Sequence, residues 1–550
     1  MKNSRFITLS FLVAMLLGCS PRVSSVISSS SELSKTVTDP LSGVTLDRDF
    51  ATDYEIDKSV SNKDGSMSYE IFVRSYYDTN GDGIGDLNGV KEKIPYLHDL
   101  GIKTLWLMPI MPSPTYHGYD VTDYFDVHKD YGTIEDFKNL VKTAEEYNID
   151  IMIDMVLNHC SKNHRYFIDS YNDYNEGNYD EGSKAEWFNW GETGDATYNG
   201  VLYEARFDAT MPDFNLDCPA VREEIDKIFK FWIEDCGVKG FRLDAVLYYY
   251  YQNTNKNIQF MNFLVDTAKK YDEDFYMVGE CWQSDVIVNQ YAASKLDSFF
   301  RFGQASGGEL SLINLSKGFG RANNYAKTIE QNEIACKAKN PNYYSSYFLS
   351  NHDQDRIAKN FKEEISNKVA ASLYCLLPGT PFMYYGEEIQ LKGTRVTSPE
   401  DYSDVRRRLP MIWSKEDKTG ECAFPEKTRP DLNKKNDQVE DGVYDKLNEN
   451  FSLVKHYQKV INIRNKYSFI KNGIFKNMTP DLNTDEASVM AYKISLDDEY
   501  VIIVHNFSSY AVEVDVIGNE IVDEINTSHL KPKLENGKLS IAAQSTVIMK

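Results

Sequence analysis

An arginine and a carboxylate stand two residues apart in the apolar stretch Gly240-Phe-Arg-Leu-Asp-Ala-Val246. Side chains at positions i and i+2 of a β-strand point to the same face, so Arg242 and Asp244 are expected to lie together. A guanidinium beside a carboxylate keeps the carboxylate ionised, which is the state that a nucleophile needs. Taken alone, the pair is more typical of a structural ion pair, so its interpretation depends on other stretches.

Two more carboxylates follow apolar, strand-like runs: Glu280 comes after residues 276–279, and Asp353 comes after residues 348–352. The C-terminal ends of parallel barrel strands open on one face, so the three acids are expected to converge there. Two carboxyl groups about 5–5.5 Å apart cleave a glycosidic bond with retention. One attacks the anomeric carbon, and the other protonates the leaving oxygen and later activates water. The third can bind sugar hydroxyls as the ring distorts.

Eight short apolar runs could position these acids. They lie at residues 69–73, 103–107, 150–156, 240–243, 275–279, 297–300, 345–349 and 381–385. Helical patterns such as 133–147, 219–235 and 256–271 separate several of them. Strands that alternate with helices predict parallel βαβ units, and eight of them predict an α/β fold of the (β/α)8 TIM-barrel type.

Two further regions interrupt or follow the barrel pattern. Residues 160–220 are rich in Asn, Asp, Gly, Tyr and Trp and are too long for a loop, so they predict a small domain inserted after strand 3. Residues 471–550 alternate apolar and polar positions, which predicts a C-terminal antiparallel β-sandwich domain. The barrel itself is assigned to residues 67–159 and 221–470.

The sequence of the N-terminal residues is typical of an export signal. Lys2 and Arg5 precede an apolar run that is too short to span a membrane, so residues 1–18 predict a signal peptide. Leu16-Leu-Gly-Cys19 resembles a bacterial lipobox, which implies cleavage before Cys19 and acylation of its sulfur; a plain secretory signal is the alternative. Residues 19–66 are polar and predict a flexible, lipid-anchored tether. The expected location is the cell surface or the periplasmic face, with membrane contact through the lipid anchor only.

Charge and cysteine content exclude some classes of function. The net charge of -23 argues against nucleic acid or an anionic membrane surface as the main partner. The eight cysteines form no C-x-x-C pair, so neither a zinc site nor a disulfide framework is indicated.

Four stretches around the acids occur together in a characteristic order. They are Asp154-Met-Val-Leu-Asn-His159, Gly240-Phe-Arg-Leu-Asp-Ala-Val246, Gly279-Glu-Cys-Trp282 and Ser350-Asn-His-Asp353. The set resembles the α-amylase family of glycoside hydrolases (family 13 type), over residues 67 to 550. Met211-Pro-Asp-Phe-Asn215 and Arg408-Leu-Pro-Met-Ile-Trp413 resemble further segments of that family. Together with the lipobox, the resemblance implies a bacterial lipoprotein of this family.

The resemblance implies a role for each matching residue. Asp244 would be the nucleophile, Glu280 the general acid/base and Asp353 the transition-state stabiliser. Arg242 would orient Asp244. The implied substrate-binding residues are His117, Tyr119, His159, Trp282 and His352. Of these, Tyr119 would stack on the sugar being cleaved, and Trp282 would either stack on the leaving group or simply pack.

Residues 78–86 form a separate motif, Asp-Thr-Asn-Gly-Asp-Gly-Ile-Gly-Asp. Calcium takes six to eight oxygen ligands, and such a loop can gather them around one point. The predicted Ca²⁺ ligands are Asp78, Asn80, Asp82, the Ile84 carbonyl and Asp86. An EF-hand would carry Glu at the twelfth position, where Gly89 stands, so the loop is not an EF-hand. An acidic turn is the alternative.

The sequence also departs from the family pattern. Many endo-acting relatives carry Lys-His three and four residues after the nucleophile, where this chain has Leu247 and Tyr248. The Lys contacts sugar on the leaving side and the His carbonyl helps hold a second calcium, for which Asn158 and Asp213 are candidate ligands here. These departures leave the bond type and chain-length preference open.

The implied activity is retaining cleavage of internal α-1,4 bonds in starch and maltooligosaccharides by a monomer. The alternatives are an exo-acting α-glucosidase, an oligo-1,6-glucosidase or neopullulanase-like enzyme, and a transglycosylase on the same fold. A non-catalytic starch-binding lipoprotein is disfavoured because all three acids are present.

Overall fold

The computed structural model describes most of the chain after residue 52. The described ranges are residues 53–191, 194–305, 311–361, 363–396, 403–424, 438–528 and 530–550. The model also describes the backbone of two short antiparallel strands, Thr36–Thr38 and Thr45–Asp47. Residues 1–35, with the predicted signal peptide and Cys19, lie outside the described residues.

Eight parallel strands form the central sheet. They are β1 (Ser68–Ile71), β2 (Thr104–Leu107), β3 (Asp150–Met155), β4 (Gly240–Leu243), β5 (Tyr276–Gly279), β6 (Ser298–Phe300), β7 (Tyr344–Ser346) and β8 (Phe382–Tyr384). Neighbours follow chain order, and β8 pairs with β1. Backbone hydrogen bonds from Thr380 to Ser345 (3.0 Å) and from Phe382 to Tyr347 (2.8 Å) bridge the seam between β7 and β8. The predicted α/β (β/α)8 barrel is confirmed.

The barrel interior is filled by large apolar side chains. Trp106, Met152, Val278, Phe300 and Phe348 belong to one buried cluster inside the sheet. A filled barrel has a packed core rather than a pore, so a ligand is restricted to the ends of the strands.

Helices surround the barrel and are fixed at their ends by local caps. Thr133, for example, forms a capping box with Asp136 at the start of the helix Ile134–Glu146. The α-helices are Leu87–Glu92, Ile94–Leu100, Ile134–Glu146, Arg165–Glu176, Pro219–Lys230, Thr254–Ala268, Asp285–Tyr291, Phe302–Ala305, Leu312–Ser316, Ala322–Lys337, Glu364–Tyr374, Val443–Asn448 and Leu453–Lys466. None of the described helices is long and apolar enough to cross a bilayer.

The region between β3 and β4 is a small unit with its own aromatic core. It contains the helix Arg165–Glu176 and the hairpin Ala196–Tyr198 with Val201–Tyr203. Phe167 packs against Trp190 (4.9 Å between ring centroids) and Tyr203 (5.0 Å). This unit stands at the C-terminal end of β3, where an insertion can reach the mouth of the barrel.

Two antiparallel sheets form the C-terminal domain. Its strands are β9 (Ile474–Asn477), β10 (Val489–Leu496), β11 (Glu499–Asn506), β12 (Val512–Asp515), β13 (Ile521–Ile525), β14 (Lys533–Glu535), β15 (Lys538–Ile541) and β16 (Ser545–Met549). The sheet orders are β9-β10-β11-β16-β13 and β12-β15-β14. Val504, Val514 and Leu539 bury their side chains between the sheets, so the predicted antiparallel sandwich is confirmed.

The predicted tether extends too far along the chain. Tyr54 stacks on Phe451 (4.5 Å between ring centroids) and its hydroxyl bonds to Nδ1 of His456 (2.6 Å). Asn62 donates to the carbonyl of Ile102 (2.7 Å). Tyr54 and Asn62 therefore fasten the segment 53–66 to the barrel, because long-range partners hold a segment whose composition alone is typical of a linker.

Candidate active site

Arg242 lies on β4 and is fully buried beneath the mouth of the barrel. Its Nη1 atom is 2.6 Å from Oδ1 of Asp244 and 2.8 Å from Oδ1 of Asp154, the second-last residue of β3. The expected contact between Arg242 and Asp244 is present. The guanidinium holds the Asp244 carboxylate in one orientation, as a nucleophile requires.

Glu280 follows β5 and reaches the same guanidinium. Its Oε1 atom is 2.9 Å from Nη2 of Arg242, and its Oε2 atom accepts the backbone N–H of Ala245 at 3.0 Å. Asp244 and Glu280 thus contact adjacent nitrogens of one planar group. One buried side chain thus holds both carboxyl groups at the same site.

One guanidinium faces three buried carboxyl groups, which cannot all be ionised at low cost in a desolvated site. Burial raises the pKa of Glu280 against the lowering effect of Arg242, and the neighbouring Asp244 charge adds to the rise. Burial also raises the pKa of Asp154 to about 7. The pKa of Glu280 is thus shifted in the direction that a general acid requires.

Asp353 is anchored from two sides. Its Oδ2 atom lies 3.0 Å from Nε2 of His352, and its Oδ1 atom accepts a hydrogen bond from Arg408 at 2.8 Å. Burial alone would raise the pKa of Asp353, but the charge of His352, the hydrogen bond from it and Arg408 hold that pKa far below its usual range. Asp353 is therefore ionised at neutral pH, and its pKa is shifted in the opposite direction to that of Glu280.

His352 is buried between two carboxylates. Its Nδ1 atom is 2.5 Å from Oε1 of Glu70, a residue of β1. Burial opposes the charged form, but Asp353 and Glu70 raise the pKa of His352 to about 9. The imidazole is therefore charged at neutral pH and donates from both nitrogens, so Glu70 fixes the ring that positions Asp353.

Tyr119 links Asp154, which contacts Arg242, to His352, which contacts Asp353. Its hydroxyl donates to Oδ2 of Asp154 (3.0 Å) and lies 2.7 Å from Nε2 of His352. Its ring is nearly parallel to His352, with 5.7 Å between the centroids. A sugar bound over Asp244 would meet the face of this ring at the bottom of the pocket.

His117 and His159 are both neutral at pH 7. Burial, with a smaller effect from Arg408, lowers the pKa of His117 to about 4, and burial lowers the pKa of His159. Nδ1 of His117 accepts the N–H of Tyr119 (3.1 Å), which leaves the proton on Nε2. Nε2 of His159 is buried without a geometrically satisfactory partner among the described residues. His117 can therefore offer Nε2–H to a sugar hydroxyl, and Nε2 of His159 has a hydrogen bond left to make.

A cavity of about 590 Å³ brings the predicted residues together. Its walls include His117, Tyr119, His159, Asp244, Glu280, Trp282, Asp353 and Arg408. Arg242 and His352 lie buried behind these residues. Trp282 stacks on Phe302 (4.8 Å between centroids) and is still 46% exposed, so it both packs and faces the cavity.

The structure adds residues that motif reasoning did not assign. Asp154 and Arg408 belong to stretches that resemble the family but were given no role of their own, and Glu70 lies outside those stretches. The signal for Glu70 was a single acid inside the apolar run 69–73, because a charge on a buried strand requires a partner.

The loop of residues 78–86 is closed by its own hydrogen bonds. Asp78 accepts the backbone N–H groups of Gly81 and Gly83, each at 2.8 Å, and Asp82 accepts that of Ile84 at 2.7 Å. Asp86 caps the helix Leu87–Glu92 through the N–H of Gly89 (2.7 Å). Among the described residues, no group of three or more His, Cys, Asp or Glu side chains is placed to hold a metal ion. Calcium binding stays a prediction.

Asn158 and Asp213, the candidate ligands of a second calcium, form hydrogen bonds with protein groups. Asn158 donates from Nδ2 to Oδ1 of Asp213 at 2.8 Å, and the second oxygen of Asp213 accepts the N–H of Arg206 at 3.1 Å. Burial raises the pKa of Asp213 to about 7. This pair joins the inserted unit to the end of β3.

The barrel with its paired carboxyl groups defines a glycoside hydrolase. The chain belongs to the α-amylase family: the model of the α-amylase catalytic domain matches residues 70–473, and that of the α-amylase SusG C-terminal domain matches residues 489–548.

Named proteins of this family cover nearly the whole chain. Alpha-amylase 3 of Dictyoglomus thermophilum is 36% identical over 88% of this chain and 93% of its own length. An oligo-1,6-glucosidase of Parageobacillus thermoglucosidasius is 28% identical over 80% of this chain and 90% of its own. The solved structure of Eubacterium rectale Amy13B has a TM-score of 0.80 and 33% identity, covering 92% of this chain and 98% of that one.

Proposed function

We propose that the protein hydrolyses internal α-1,4-glucosidic bonds of starch and maltooligosaccharides with retention of anomeric configuration. The observation that carries the proposal is the contact of one buried guanidinium, Arg242, with both Asp244 and Glu280. Asp353 lines the same cavity. The similarity to an α-amylase over 88% of the chain supports the substrate class.

The chemistry follows from these positions. Asp244 attacks the anomeric carbon while Glu280 gives its proton to the leaving oxygen, which produces a glycosyl ester on Asp244. Glu280, now ionised, takes a proton from water, whose oxygen attacks the same carbon and releases Asp244. Asp353, His117 and His159 hold hydroxyls of the distorted sugar.

Two substitutions test the assignment. Glu280→Gln removes the proton donor, and Asp244→Asn removes the nucleophile. We expect each to lower the turnover of a chromogenic maltooligoside by at least about 10²-fold, the usual scale of a lost general acid. Maltooligosaccharide binding, measured by calorimetry, should persist. Asp515→Asn, a change on the C-terminal domain, is the matched control and should leave turnover unaltered. An inactive wild-type protein that still binds starch would favour the non-catalytic alternative.

The time course of products separates the remaining alternatives on this fold. Internal cleavage of starch gives mixed oligosaccharides early, whereas exo action gives glucose alone. Leu247 and Tyr248, together with the oligo-1,6-glucosidase relative, favour a parallel assay with an α-1,6-linked substrate. Faster turnover of that substrate than of maltooligosaccharides would contradict the α-1,4 assignment.

We propose that the loop of residues 78–86 binds one Ca²⁺. Its oxygen donors suit a hard cation, and a carboxylate oxygen that accepts one N–H retains a second lone pair. Chelation should lower the melting temperature of the wild-type protein, because an ion that binds only the folded state stabilises it. Asp82→Ala should melt identically with and without chelator. A wild-type protein that neither responds to chelator nor releases heat on calcium titration would contradict this site.

We also propose that the chain is exported and anchored through an acylated Cys19, and that it acts as a monomer. The apolar run before Cys19 supports export. Mass spectrometry of the membrane fraction should show a lipid on Cys19, and Cys19→Ser should release the protein from membranes. Sedimentation should give the mass of one chain.

A further inference from the structure

A second cavity lies beside the chain segment that fixes Asp353. Arg408 bonds to the Asp353 carboxylate (2.8 Å), and Leu409, the next residue, lines this cavity of about 580 Å³. We define the apolar wall of the cavity as Leu409, Pro410, Ile412, Ala423, Phe424 and Val439. Three of these residues, Leu409, Ile412 and Val439, are partly buried against the main core. A largely apolar cavity with a few polar groups is typical of a small-molecule site.

Charged side chains line the same cavity. They are Lys392, Arg406, Lys415, Lys418, Glu421 and Glu440. Glu440 and Glu421 each bind a lysine of this group, at 3.1 Å and 2.8 Å. Among the described residues, neither Lys392 nor Arg406 has a carboxylate oxygen within 4.0 Å of its side-chain nitrogens. Two cations of the described cavity therefore remain unpaired, although the chain as a whole carries a net charge of -23.

Lys392 and Arg406 belong to two chain segments that are in direct contact. A Cβ atom on Gly393 would overlap the carbonyl oxygen of Arg406, so glycine permits this close approach. Lys392 is exposed and Arg406 is partly buried. Two neighbouring cations attract one anionic group and form charge-assisted hydrogen bonds with it. Their position lets the charged end of a ligand stay close to solvent while its apolar part lies in the cavity.

The geometry points to this cavity as a binding site for an alkyl carboxylate, a class of ligand unrelated to the proposed substrate. The alkyl chain packs on the apolar wall, and Lys392 and Arg406 bind the carboxylate. Five of the six wall residues are aliphatic, so the surface suits an alkyl chain better than an aromatic ring. A sugar is disfavoured, because its hydroxyl groups would be left without partners against such a wall. Neither Lys392 nor Arg406 lines the active-site cavity, so the inference stands independently of the proposed hydrolysis.

Sodium decanoate, titrated below its micelle concentration and followed by calorimetry, tests the site on the full-length protein. We expect saturable binding by the wild-type protein. Octanoate should bind about tenfold more weakly than decanoate, because it has two fewer methylene groups to bury. 1-Octanol retains the chain length of octanoate without the charge and should bind more weakly than octanoate. Acetate has the charge without the chain and should give no measurable heat.

Four variants locate the two ends of the ligand. Arg406→Gln and Lys392→Gln each remove one positive charge and should each weaken decanoate binding by about fivefold, with the affinity for 1-octanol unchanged. Val439→Glu places a carboxylate in the apolar wall and should weaken the binding of both compounds. Lys415→Gln is the matched control, because Lys415 lines the same cavity but is already bound to Glu440 at 3.1 Å. Its affinity for decanoate should equal that of the wild-type protein.

Thermal melts provide a second readout that distinguishes a site on the folded protein from general binding of an amphiphile. A ligand that binds only the folded state raises the melting temperature, so decanoate should raise that of the wild-type protein and leave that of Val439→Glu unchanged. Absence of decanoate binding by the wild-type protein, or a melting temperature that falls with decanoate, would overturn the inference. Equal affinities of the wild-type, Arg406→Gln and Lys392→Gln proteins for decanoate would overturn it as well, and so would a Lys415→Gln protein weakened as much as Arg406→Gln.

Discussion

The buried carboxylate of Glu70 affects the charge and position of Asp353 through His352. It lies 2.5 Å from His352, which in turn bonds to Asp353. Because the pKa of His352 is raised to about 9 in the folded protein, its contribution to stability is complete below the usual value of 6.5. That contribution is lost as the pH rises through about 9.

Glu70→Gln tests this control, since it removes one of the two negative charges on the ring without changing the shape of the side chain. We expect the pKa of His352, followed by NMR of the imidazole protons, to fall toward 6.5. The alkaline limb of the kcat/KM profile should move to lower pH as Asp353 loses its charged partner. An unchanged pKa of His352 in this variant would show that Asp353 alone maintains the charge.

The contact between Arg242 and Asp244 could be predicted because spacing within one strand decides it. Arg242 and Asp244 are two residues apart, and the period of a strand alone brings them together. Glu70, Asp154 and Arg408 come from other parts of the chain, and their roles depend on partners more than 50 residues away. Such contacts cannot be predicted from spacing along the chain, because they depend on how the strands are arranged in the closed barrel.

The turn after β4 is the element that joins Asp244, the proposed nucleophile, to Glu280, the proposed general acid. Ala245 has a φ of +50°, in the left-handed region that disfavours any residue with a Cβ atom. This conformation directs its N–H to Glu280 at 3.0 Å. The strained residue therefore lies between the two carboxyl groups that we propose to react, and its conformation orients one of them through this hydrogen bond.

Two substitutions at this turn should act in opposite directions. Ala245→Gly relieves the Cβ penalty and should leave the melting temperature equal or higher, with activity retained. Ala245→Val places a β-branched residue in the same conformation and should cost about 1–3 kcal/mol of unfolding free energy, with a large loss of kcat. Thermal melts and turnover of a maltooligoside provide the measurements. A fully active and equally stable Ala245→Val protein would contradict the role assigned to this turn.

The strands and helices of the barrel could be predicted from the sequence for a physical reason. Strands buried on both faces appear as short apolar runs, and helices between them appear as periodic ones, so the barrel could be predicted. The packing of residues 53–66 could not, because Tyr54 is a single aromatic whose partners, Phe451 and His456, are about 400 residues away.

In the described part of the chain, the C-terminal domain and the barrel share one buried core. Met490, Tyr492 and Ile503 on its five-stranded sheet belong to the same continuous buried cluster as the barrel helices. The backbone N–H of Ala322, at the start of a barrel helix, bonds to the carbonyl of Ala487 at 2.9 Å. The opposite face of the sheet packs on the smaller sheet, so both of its faces are covered.

Tyr492→Ala tests whether the two domains unfold together. The ring stacks on Phe475 (4.8 Å between centroids) and its hydroxyl donates to the barrel carbonyl of Leu376 at 3.2 Å. Its removal should cost about 3–5 kcal/mol, the range for a truncated buried aromatic. Calorimetry should still show a single transition, shifted to lower temperature, and activity should disappear within that same transition. Tyr510→Ala, on an exposed ring of the same domain, should leave the midpoint in place. If the C-terminal domain melted separately while the barrel kept both its midpoint and its activity, the shared core would have no role in holding the active site.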